Sequence, residues 1–101
     1  MKVEQSQIEA WKKQYPYVYV VTLYDGDGKE ITLYLHHPNH AQFAYILSLK
    51  DQFQRLAAGE FFLENCLLSD PSVLQDEQVK SAAAIRVVDQ IRVYKGNVTV
   101  L

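Results

Sequence analysis

The sequence predicts a small α+β domain, with one antiparallel β-hairpin packed on three to four α-helices. Three observations predict it. Two strand-like runs, residues 17–24 and 30–36, alternate around the turn sequence Asp25-Gly26-Asp27-Gly28-Lys29, a strong short-range hairpin signal. Before and after the hairpin, apolar residues recur at helical spacing. The length of 101 residues is that of one domain, and no linker or internal repeat divides it. At this size folding buries about two-thirds of the surface that the unfolded chain exposes.

Each element has its own signals. Ser6-Gln7-Ile8-Glu9 reads as a capping box, with Ser6 accepting from the Glu9 amide and Glu9 reaching back. Ile8, Trp11 and Tyr15 follow on one helical face, and Pro16 ends the helix because the residue before a proline avoids the helical region. In the hairpin, pairing Leu23 with Ile31 sets Val21 opposite Leu33 and Tyr19 opposite Leu35, one consistent apolar face. The other face carries Val18, Val20, Thr22, Tyr24, Thr32, Tyr34 and His36, and is polar only in part. A two-stranded hairpin is marginal alone, so helices must cover at least one face.

After Pro38, Asn39 is the expected N-cap and Gln42 its reciprocal partner. Phe43, Ile46, Leu47, Lys50, Phe53 and Leu56 then follow at roughly helical spacing, with Lys50 as a snorkelling exception. Gly59 is the expected break. A short helix over residues 60–68 carries Phe62, Leu63, Cys66 and Leu67. Ser69-Asp70-Pro71-Ser72 is a loop that opens a helical turn at Pro71. The last helix, from about Asp76, places Val79, Ala83, Val87, Ile91 and Tyr94 on one stripe and stops at Gly96. Residues 91–94 and 98–101 also alternate and fit a second hairpin; the sustained helical period favours helix to Tyr94. Phe43, Phe62, Leu63, Val87 and Ile91 are expected to be buried.

Composition narrows the function. Hydrophobic residues make up 49% of the chain and aromatic ones 12%, with seven tyrosines, so the chain is a folded domain rather than a disordered one. The net charge is −2 and the pI about 5.8, without the basic footprint of a nucleic-acid binder or a polybasic membrane patch. No apolar run approaches the roughly 20 residues that a membrane span needs. Polar residues follow Met1-Lys2, so no secretory signal is expected. Cys66 is the sole cysteine, so no disulfide forms within the chain, and a reducing cytoplasm is the expected compartment.

Candidate chemistry is sparse. His36, His37 and His40 cluster in sequence, but neighbouring strand residues point to opposite faces, so ordinary turn histidines explain them better than a metal site. Asp25-Gly26-Asp27-Gly28 resembles the opening of a calcium loop, yet the twelfth position holds His36 instead of glutamate. Gly26 and Gly28 join two strands, where a dinucleotide fingerprint joins strand to helix. Cys66 lies in an apolar helix with no evident base. Glu60, Glu64 and Asp70 read as solvated helix charges. Trp11, Tyr15, Tyr17 and Tyr19 lack the basic groove that base stacking needs. No catalytic, cofactor-binding or metal-binding residue is therefore expected, no cofactor is called for, and neither nucleic acid nor a membrane is expected as a partner. The candidate protein-interaction residues are Tyr17, Val18, Val20 and Tyr34, which serve either self-association or another protein.

The segments "IEAWKKQYPYVYVV", "VTLYDGDGKEITLYLHHPNHAQF", "EFFLENCLL" and "SDPSVLQDEQ", taken in that order, resemble small phage and prophage proteins of the tail assembly chaperone type. The resemblance spans residues 7 to about 94. Histidine stands here where that family often places Lys or Arg before the proline. The resemblance implies a cytoplasmic protein of an infected or lysogenic cell. Such a protein would bind an elongated tail protein, such as the tape measure, until the tube assembles. Some members are the shorter product of a frameshifted pair.

Overall fold

The computed structural model describes residues 3–101. An amphipathic helix, α1 (Gln5–Gln14), leads into an antiparallel hairpin of β1 (Val18–Tyr24) and β2 (Glu30–His36). Three further helices follow: α2 (His40–Asp51), α3 (Arg55–Cys66) and α4 (Glu77–Val88). A short 3₁₀ helix, Pro71–Gln75, joins the last two. The architecture is α+β, as the sequence predicts.

The hairpin forms in the expected register, with Tyr19 opposite Leu35, Val21 opposite Leu33 and Leu23 opposite Ile31. Its turn is a three-residue loop. The Gly28 amide donates to the Asp25 carbonyl at 2.9 Å, and the Asp25 amide to the Lys29 carbonyl at 3.0 Å. Gly28 sits at φ 80°, the left-handed position that this loop type requires. The Asp25 carboxylate accepts from the amides of Asp27 and Lys29 at 2.9 and 2.8 Å. It is thereby committed to the turn.

The inner face of the hairpin packs on α3 and α4, which pack chiefly on each other. Val21, Leu33, Leu35, Ile46, Phe62, Leu63, Val87 and Val88 form the centre of the core, and Ile91 closes it. Among the described residues no polar or charged one is buried there. Phe62, Leu63, Val87 and Ile91 are buried as expected, while Phe43 is partly buried against the core. The closeness of α3 and α4 comes from small residues. A Cβ on Gly59 would lie 2.2 Å from the Ala84 carbonyl oxygen, so only glycine permits this crossing.

Four local expectations are corrected. Glu4, not Ser6, is the N-cap of α1. The amides of Gln7 and Ile8 already bond to the Glu4 carbonyl, so Ser6 lies inside the first turn and the capping box does not form. Gly59 is not a break but a buried position within α3. The break falls at residues 52–54, where the Gln54 amide bonds to the Leu49 carbonyl and the Phe53 amide to the Lys50 carbonyl at 2.8 and 3.0 Å. This is a Schellman cap, with Phe53 at φ 61° in the place usually held by glycine. Phe53 and Leu56 consequently leave the apolar stripe and are exposed.

Finally, α4 stops at Val88, well before Tyr94, and residues 92–101 form neither helix nor strand. The Lys50 ammonium donates to the carbonyl of Val88 at 3.1 Å and to that of Ile91. A side chain from α2 thus takes the acceptors that further helical turns would have used, and Ile91 turns into the core. The remaining boundaries are as expected. Tyr15 is extended before Pro16, Asn39 and Gln42 form a reciprocal cap, and Asp70 caps the 3₁₀ turn that Pro71 opens.

Candidate functional site

The outer face of the hairpin is the most distinctive surface. Strand alternation sets Val18, Val20 and Tyr34 on it, with Val20 directly opposite Tyr34 and Val18 opposite His36. Helix α1 covers only one end. Trp11 lies against Tyr34 with ring centroids 5.6 Å apart, and Tyr15 stacks on His36 at 4.4 Å with the planes 9° apart. No residue of α1 is buried; Ile8, Trp11 and Tyr15 are half-buried. Beyond them the face opens into a groove bordered by Trp11, Val20, Tyr34, Leu68 and Val73.

Tyr17 does not join this face. It has the opposite strand parity, is exposed, and places its ring edge-on to His37 at 5.6 Å. The structure therefore brings together three of the four predicted interaction residues and sets Tyr17 on the far side of the sheet. Two exposed features escape sequence reading. Phe53 fits the helical stripe and gives no sign of leaving it. Likewise, Tyr94, Val98 and Val100 read as continuing structure but stand free of the body.

The groups with chemical potential have structural partners. His36 donates from Nδ1 to the His37 carbonyl at 2.8 Å. His37 faces the other way, with Nδ1 2.7 Å from the Tyr19 hydroxyl and its ring against Phe43. Burial, and then the neighbouring His36, hold the His37 pKa below its ordinary value, while burial raises that of Tyr19. The phenol hydroxyl and the imidazole Nδ1 thus share one hydrogen bond. His40 is exposed at the start of α2. Among the described residues no cluster of His, Cys, Asp or Glu is arranged to hold a metal ion.

Burial pushes the Cys66 thiol up to about 11, so little thiolate exists near neutrality. Glu64 is bound by Lys80 at 2.6 Å. The Asp70 carboxylate accepts from the Ser72 amide at 3.0 Å, and this bond holds its pKa low. The two carboxylates thus serve separate structural partners. No helix among the described residues is long and apolar enough to cross a membrane.

Comparison with known proteins adds no identification: no family model, curated protein or solved structure matches this chain.

Proposed function

We propose that this protein is a non-catalytic interaction module that shields an apolar segment of another protein, in the manner of a phage tail assembly chaperone. The observation that carries this reading is the outer face of the hairpin. Val20 remains 56% exposed in the middle of a strand, beside a groove with aromatic and aliphatic borders. A groove under a loosely seated helix suits an elongated apolar chain, which α1 can admit by shifting on its two aromatic contacts. Such a role needs no cofactor, nucleic acid or membrane, and it would be carried out in the host cytoplasm.

The resemblance in sequence names the tape-measure protein as the partner to test. Co-expression of this chain with a phage tape-measure protein, followed by pull-down, is the direct experiment. Val20→Asp with Tyr34→Ser should abolish capture while the circular dichroism spectrum and the urea midpoint stay near those of the parent. Capture by the double variant at the parental level would remove the outer face from the function.

A further inference from the structure

Two strand-like features of this molecule lack partners. The first is the open edge of β1. The bonds Asp25–Lys29 and His37–Tyr17 flank the ladder, so the odd-numbered pairs carry the interstrand hydrogen bonds. Even-numbered residues turn their N–H and C=O groups outward. On β2 those groups are used: the Tyr34 carbonyl accepts from the Leu68 amide at 2.8 Å, and the Tyr34 amide donates to the Ser69 hydroxyl at 3.1 Å. On β1 the corresponding groups of Val18, Val20, Thr22 and Tyr24 meet no backbone partner among the described residues. The strand is seven residues long and contains no charge and no proline, the devices that normally protect an edge from pairing. A groove bordered by Arg86, Val87 and Gln90 of α4 and the turn after it runs beside the strand.

The second feature is the segment Asn97-Val98-Thr99-Val100-Leu101. It alternates and is rich in β-branched residues, as strands are, yet Val98 is 96% and Val100 93% exposed. It leaves the body after the buried Ile91 through exposed chain and does not border the groove beside β1. The radius of gyration of 15.2 Å exceeds the roughly 13 Å of a compact domain of about 100 residues.

We propose that two copies of this chain exchange these segments, so that residues 97–101 of each lie along the β1 edge of the other. Each hairpin then becomes a three-stranded sheet, with main-chain bonds supplying the contact. One side of the added strand packs on the aliphatic stem of Arg86, which is exposed beside the groove. Reciprocal exchange closes the assembly at two copies, where one-way donation would continue into a filament. The inference stands apart from the partner-binding reading, because its test uses the pure protein.

Sedimentation of the full chain from low to high micromolar concentration should show the mass rise from 11.6 kDa to twice that value. Val20→Pro removes one outward amide and leaves the bonds within the hairpin in place. Val98→Pro with Thr99→Pro removes one donor of each parity from a segment that packs on nothing. Each variant alone should stay at the monomer mass, and their mixture should form a weaker heterodimer, since one contributes the tail and the other the edge. If Val20→Pro fails to fold, the tail variant alone decides. A parent that stays monomeric at high concentration overturns the proposal, as does a tail variant that still dimerises. Amide protection along β1 that is independent of concentration and lost in the tail variant also overturns it, since the tail would then pair with its own edge.

Discussion

On the inner face of the hairpin Leu33 and Leu35 are fully buried, whereas on the outer face Val20 keeps 56% and Tyr24 70% of its exposure. The same two strands supply both faces, and both are rich in apolar side chains. The inner face meets α3 and α4, whose close crossing offers a broad dry surface. The outer face meets one short helix that touches it at Trp11 and Tyr15. Stability therefore resides on one side of the sheet, and surface available for recognition on the other.

The sharpest way to break this comparison is to weaken the inner side. Phe62 is fully buried and meets Tyr19 edge-on at 5.9 Å. Phe62→Ala should destabilise the fold by about 3–5 kcal/mol, from lost burial and the cavity left behind. A urea midpoint unchanged by this substitution would mean that the core lies elsewhere. Gly59→Ala should follow at about 3 kcal/mol, because the new methyl meets the Ala84 backbone and forces the helices apart. The roughly 1 kcal/mol gained in helix propensity does not offset that clash. A Gly59→Ala variant as stable as the parent would show that α3 and α4 do not cross so closely.

Phe53 tests the opposite sign. It sits at φ 61° with 95% of its surface exposed, so nothing in the monomer compensates the strain. Phe53→Gly should raise stability by about 1 kcal/mol, the smaller end of the left-handed penalty for an L-residue. Thermal unfolding of the variant measures it, and a fall in midpoint would show that the phenyl ring packs on something.

The pH dependence is smaller still. Burial holds His37 below its ordinary value of 6.5, so the unfolded chain binds this proton more readily than the folded one. The contribution of His37 is complete above about pH 6.5 and is lost as pH falls through the lower folded value. Urea midpoints should decline across that window in the parent and decline less in His37→Gln. Asp70, whose pKa is lowered from 3.8, acts in a separate and more acidic window. The smallest effect belongs to the outer face. Val20→Ala should change stability by no more than about 0.5 kcal/mol, and a larger loss would mean that the two faces share one core.

The hairpin was legible in the residues because its information is local. Gly28 marks the left-handed turn position, and the alternation of Val21, Leu23, Leu33 and Leu35 permits one register that buries all four. The cap at Asn39 was legible for the same reason, since cap and capped amide lie within three residues. The family resemblance, by contrast, rests on an order of elements and supplies a proposal to test rather than a site. What only the tertiary structure decided involves residues far apart in sequence. Gly59 looks like a helix breaker until Ala84 is placed against it. Residues 89–94 continue a helical period until Lys50, from α2, takes the carbonyls at the end of α4. Whether Val20 is core or surface depended on how much of the outer face α1 covers. Local signals specify what a segment prefers, but burial and hydrogen-bond partners come from the rest of the chain, and at these positions the partners prevailed.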